Sequence, residues 1–288
     1  MTAAVPAVAR ILSRGLRSQV TALREVPSDY GTSHPLYALD VDFADGRRVT
    51  ALVKDTERPH PARPHAAGSG SVELLAYERL LGSANGGTPR FLGSAGSLLV
   101  LERVEGSVLW QLDGVGPWLD VARCVRSLHE SLADGVAAAF LPRYDLAWYD
   151  SWLERARELA GPLPAAERSH AAAVECLLAQ PLVVVHGELY PSNVLVAGRR
   201  VCIVDWETAA LGPAAVDVAA LSSGWGEIEQ AEIAAAYGGI DSRALLSARL
   251  HLALRWLGWS SGWTPPVEHR VDWRIEAERA ALLLEAST

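Results

Sequence analysis

One stretch constrains this chain more than any other: residues 182–207, LVVVHGELYPSNVLVAGRRVCIVDWE. The apolar run from Leu182 to Val185 reads as a strand. A polar loop follows, and then two short strand-like segments joined at Gly198-Arg199-Arg200. His186, Glu188, Asn193 and Asp205 are thereby delivered to the ends of apolar strands. Phosphoryl transfer from a nucleotide needs a carboxylate to orient the attacking hydroxyl and oxygen ligands for a Mg²⁺ ion that bridges the phosphates. The spacing H-x-E-x-x-x-x-N followed by a strand-borne Asp supplies both. It also suits a strand–loop–hairpin whose His and Asp only cap turns.

An acid two residues after a His, and an Asn five residues after the acid, is the spacing of a kinase catalytic loop. VVVHGELYPSNVLV followed by VCIVDWETA resembles the HGDxxPxN and IDW(E) motifs of the aminoglycoside phosphotransferase and choline kinase-like superfamily. The resemblance implies an α+β, bilobed, protein-kinase-like fold. Its small N-terminal lobe would be an antiparallel sheet with one main helix, and its larger C-terminal lobe mostly helical. Residues 1–104 would form the nucleotide-binding lobe and residues 105–288 the catalytic and acceptor-binding lobe.

Composition agrees with one bilobed enzyme. The chain has 288 residues, half of them hydrophobic, enough for a sizeable core. A formal net charge of −8 argues against a general nucleic-acid binder, which needs a basic face. Cys124, Cys176 and Cys202 lie far apart without metal-ligand spacing, so a reduced, cytoplasmic setting is expected. No apolar run approaches the ~20 residues of a membrane span, so no membrane partner is expected. Val8, Ile11, Leu12 and Leu16 recur at helical spacing and predict a leading helix.

Strands are predicted over 20–26, around Leu39-Val41-Phe43, and over 49–54, with Asp45-Gly46 turning the hairpin. The turn containing Gly31, Thr32 and Ser33 could cover phosphates with backbone N–H groups, although it lacks G-x-G-x-x-G. The resemblance adds that relatives use a short Ser-containing loop here. Residues 56–70, rich in Pro, His, Gly and Ala, read as a mobile connector. A helix is expected over 72–81, with Ser71 as its cap. Lys54 at its strand end reads either as a solvated lysine or as the partner of a helix Glu that holds the α/β-phosphates. Glu73 is favoured over Glu78 because ELLAY resembles the E-x-x-x-Y of choline-kinase-like relatives. LLVLERVEG resembles the superfamily's hinge, which implies adenine contacts from the Glu102 carbonyl and the Val104 N–H.

Helices are expected over 121–132, 147–159, 165–178, 231–237 and 242–257. His129 resembles a structural His of relatives, and Asp217 resembles the helix-start Asp that braces the catalytic loop. Trp225, Trp256, Trp259, Trp263 and Trp273 crowd the C-terminal part. They read as packing residues or as walls of an acceptor pocket.

Carried over residue by residue, the resemblance implies that His186 orients the loop and that position 188 is the catalytic carboxylate. It implies further that Asn193 and Asp205 bind Mg²⁺, with ATP or GTP as donor and a small-molecule hydroxyl as acceptor. Glu207 matches an acid frequent in relatives and would be structural, or else touch the acceptor or the loop. The family motif has Asp where this chain has Glu188. Glu keeps the charge but is one methylene longer, and a misplacement near ~1 Å can cost ~10²-fold in rate. A phosphotransferase is expected because the other parts are intact; a nucleotide-binding pseudoenzyme acting through a partner is the alternative. The tryptophans lean towards an acceptor with an apolar or ring-rich body, such as an antibiotic or other natural product.

Overall fold

A computed structural model describes residues 5–27, 34–57, 69–83, 86–132, 138–259 and 272–287. Ser33, with Gly31 and Thr32, lies outside the described residues, as do Trp263 and residues 58–68 of the expected connector. The chain forms two compact units. One comprises Met1–Val108, Asp134–Phe140 and Ser192–Ala209; the other comprises Leu109–Ala133, Leu141–Pro191 and Ala210–Thr288.

The first unit begins with α1 (Val5–Gly15) and the strands β1 (Val20–Val26), β2 (Leu36–Phe43) and β3 (Arg48–Asp55). After α2 (Ser69–Arg79) come β4 (Phe91–Ala95), β5 (Leu98–Glu102) and β6 (Ser107–Val108). Five of these strands form an antiparallel sheet in the order β1-β2-β3-β5-β4. The apolar stripe of α1 (Val8, Ile11, Leu12) packs on Leu39, Val41, Val53 and Val100 of that sheet, so the expected leading helix closes one face of the core. Gly93 makes the approach possible. Its φ is +135°, and a Cβ there would come within 2.5 Å of Ile11 Cγ2.

The second unit supplies α3 (Gly116–Ser131), α4 (Leu146–Ala160), α5 (Pro164–Leu178) and β7 (Leu182–Val185). The hairpin β8 (Val194–Ala197) and β9 (Arg200–Ile203) belongs to the first unit, where it pairs with β6. The chain then returns to the second unit with β10 (Ala210–Pro213), α6 (Ala215–Leu221), α7 (Glu227–Tyr237), α8 (Ser242–Leu257) and α9 (Trp273–Ala286). There β7 and β10 form a two-stranded antiparallel ribbon. The architecture is thus α+β, with an antiparallel sheet followed by a mostly helical part.

Several boundaries differ from those expected. Thr56 does not open a free connector, since its N–H and its Oγ1 both bond the Ser97 carbonyl at 2.9 Å. Ser71 falls inside α2 rather than capping it. The helix expected from Ala231 starts at Glu227. Gly226 enters it in extended conformation, and Glu227 and Glu229 sit in the first turn, where the helix dipole favours acids.

Candidate functional site

In the first unit, the register of the β8–β9 hairpin explains how two distant polar residues meet. Val194 pairs with Ile203, and one step further out the Val204 N–H donates to the Asn193 carbonyl at 2.9 Å. Asp205 is the next residue. Its backbone is left-handed (φ +68°), a region in which Asp is among the few L residues tolerated.

Lys54 comes from β3 into the same cluster. Its Nζ lies 2.6 Å from Glu73 Oε2, 2.6 Å from Asp205 Oδ1 and 2.7 Å from Glu207 Oε1. The Asp205 and Glu207 contacts are aligned hydrogen bonds, whereas the Glu73 contact is an ion pair without that alignment. Glu73 Oε1 instead accepts the Trp206 N–H at 3.2 Å, which ties α2 to the turn after Asp205. The rival acid, Glu78, accepts from Ser94 Oγ. Glu207, expected to be structural, reaches the lysine directly.

Lys54 is buried and surrounded by more negative than positive charge. Burial opposes its ammonium, but Glu73, Asp205 and Glu207 outweigh it and hold the lysine above its ordinary pKa. Burial raises both Glu73 and Glu207, and neighbouring carboxylates add to the rise. One ammonium among three carboxylates leaves a surplus of hard oxygen ligands. Glu73, Asp205 and Glu207 offer oxygens within 4.8 Å of one another. This donor set fits a hard divalent cation such as Mg²⁺.

At the expected hinge, the Glu102 carboxylate is spent on Arg200 (2.8 and 2.9 Å) and on the Arg90 N–H. Val104 is buried against Leu195 and Cys202. The side chains of both residues are thus occupied by packing and pairing.

In the second unit, β7 runs into His186-Gly187-Glu188. The buried Asp217 of α6 accepts the His186 N–H at 2.7 Å and the Gly187 N–H at 2.9 Å. It also takes His129 Nε2 at 3.1 Å, and His129 Nδ1 faces Tyr237 Oη at 3.0 Å. Burial pushes the Asp217 carboxyl up, but these hydrogen bonds and charges outweigh it and hold it below its ordinary value. His186 Nδ1 accepts the Glu188 N–H at 3.2 Å, so the ring and the acid are held on one turn.

Arg255 was not singled out by the sequence. It projects from α8, buried, with Nη1 on the Gly187 carbonyl at 2.5 Å and Nη2 on Glu188 Oε1 at 3.3 Å. Its guanidinium lies 5.6 Å from the ring centres of Trp148 and Trp152.

The tryptophans pack mainly on one another. Trp256 stacks on Trp273 at 5.2 Å and tilts against Tyr190, two residues after Glu188, at 5.2 Å. Trp259 stacks on Trp152, and Trp225 meets Trp118 edge-on. A cavity of about 240 Å³ in this unit is lined by Trp225, Gln230, Arg249, Leu252, Trp273 and Glu276, among others.

Solved structures of other proteins share this fold. The apoenzyme of macrolide 2'-phosphotransferase MphH from Brachybacterium faecium is 20% identical, with a TM-score of 0.60 over 96% of this chain and 97% of that one. Choline kinase LicA from Streptococcus pneumoniae is 14% identical, with a TM-score of 0.60 over 99% of each chain. A spectinomycin phosphotransferase in complex with ADP and spectinomycin is 13% identical, with a TM-score of 0.53 over 98% of each chain. At these identities the likeness shows a shared fold. Among curated proteins there is no significant match. Residues 47–253, most of the chain, match the phosphotransferase enzyme family, and the chain belongs to that family.

Proposed function

We propose that this protein transfers the γ-phosphoryl group of ATP or GTP, with Mg²⁺, to a hydroxyl of a small molecule. The observation that carries this reading is the clustering of Asp205 with Lys54 and Glu73, one residue beyond the Asn193–Val204 pairing. Lys54, kept charged by its carboxylates, would hold the donor phosphates, and Glu73 would hold Lys54. Asn193 and Asp205 would hold the Mg²⁺, which when bound neutralises charge on the phosphoryl oxygens. The backbone groups of Glu102 and Val104 would meet the base. Ser33 is proposed to contribute to the phosphate loop on sequence grounds alone.

Glu188 would orient the acceptor hydroxyl. The hydroxyl oxygen forms its bond to the γ-phosphorus, the bond to the β–γ bridging oxygen breaks, and the hydroxyl proton passes to the Glu188 carboxylate. Nucleoside diphosphate leaves. His186 would hold the loop through the Glu188 N–H. The acceptor is read, on the tryptophan-rich sequence of the C-terminal part, as one with an apolar or ring-bearing body, such as an antibiotic or other natural product.

A panel of aminoglycosides, macrolides, choline, amino-alcohols and sugars, incubated with nucleotide and Mg²⁺, tests the proposal. One acceptor should gain the mass of a phosphoryl group, and Glu188→Gln should abolish the gain while nucleotide still binds. Unchanged turnover in Glu188→Gln removes the role of Glu188. Nucleotide binding with no transfer to any acceptor turns the reading towards a protein that acts through a partner.

A further inference from the structure

We propose that Arg255 is a positioning residue that sets the Glu188 carboxylate for the acceptor hydroxyl. This rests on the phosphotransferase reading above. Two donors of one guanidinium reach consecutive residues of the loop, the Gly187 carbonyl at 2.5 Å and the Glu188 carboxylate at 3.3 Å. A planar fork with fixed N–H directions ties backbone and side chain to a single frame. The frame is itself fixed, because Arg255 is 4% exposed and lies against the faces of Trp148 and Trp152.

The departure from the family motif gives the contact its purpose. Glu188 has one more rotatable bond than the usual Asp, hence more orientations to lose before a hydroxyl can be met. Arg255 removes that freedom by holding one carboxylate oxygen. Stability alone is a poor reason for this residue. Among the described residues its buried Nε–H has no hydrogen-bond partner, so the guanidinium is taken out of water without full compensation. A group kept there at such a loss is better explained by what it holds.

The test compares wild type, Arg255→Ala and Arg255→Lys with the acceptor found in the panel. In Arg255→Ala, kcat should fall about 10²-fold while nucleotide Kd stays within about twofold. Added guanidinium should recover about tenfold of kcat in Arg255→Ala and none in Glu188→Gln. Arg255→Lys, which keeps charge and much of the volume, should fall between wild type and Arg255→Ala. A kcat in Arg255→Ala within about threefold of wild type would overturn the inference. So would a loss of kcat that guanidinium does not recover and that follows a lowered Tm in both variants. If wild type phosphorylates no acceptor, the underlying reading fails first. Crystal structures then decide the positioning role: a Glu188 carboxylate displaced in Arg255→Lys and Arg255→Ala supports it, and one left in place refutes it.

Discussion

Asp217 and His129, 88 positions apart, meet through a 3.1 Å contact between a carboxylate oxygen and the ring Nε2. The same carboxylate holds the backbone of His186 and Gly187. Asp217→Asn would turn an NH₂ group towards at least one of these donors. A buried donor left unpaired costs about 1–3 kcal/mol, and urea unfolding should read that loss. Since the loop would shift, kcat should fall while nucleotide affinity is kept.

The same carboxyl sets an acid limb in the stability. Its folded value lies below the ordinary 3.8, so the unfolded chain binds the proton more readily. The stabilisation it gives is present above that ordinary value and is lost as pH falls through and below it. Urea midpoints measured between neutral pH and the acid limb should drop less steeply in Asp217→Asn than in wild type.

Lys54→Met leaves Glu73, Asp205 and Glu207 without their shared cation. Breaking a buried ion pair by removing one partner costs about 3–5 kcal/mol. The penalty should be greatest at alkaline pH. Glu73 and Glu207 are raised in the folded state, so they bind protons there that the unfolded chain releases, and stability falls as pH rises between the two values. Thermal unfolding at about pH 5.5 and about pH 8 should show the smaller deficit at the lower pH.

Gly93→Ala tests the seat of α1 on the sheet. The added Cβ meets both a positive φ and the Ile11 side chain, and a loss of about 1–3 kcal/mol is expected. Calorimetry should show it, with the cluster around Lys54 unaffected.

How much of this was readable beforehand follows from the range over which each signal acts. The loop and hairpin were legible because strand pairing fixes register, and register brings Asn193 beside Val204 and Asp205. Glu73 was found through a motif likeness, and the 2.6 Å contact with Lys54 is its geometric counterpart. The partner of Glu207 was not legible, because its reach to Lys54 depends on the turn at Trp206, not on spacing. Arg255 left no trace. Residues 247–255 of α8 are all buried, so no polar stripe separates one residue from its neighbours, and Glu188 lies 67 positions away. Most helix ends fall within a residue of those expected, and the larger misses are starts, such as Gly116 and Glu227, where no side-chain cap marks the entry.

The left-handed turn at Asp205 has a consequence for anyone altering this site. Charge and backbone geometry are bound together there, so Asp205→Ala would confound a lost carboxylate with a conformation alanine resists. Asn, which visits the same region readily, removes the charge and keeps the bend. Gly keeps the bend with no side chain at all. Compared with wild type, those two substitutions isolate the carboxylate from the curve of the chain that carries it.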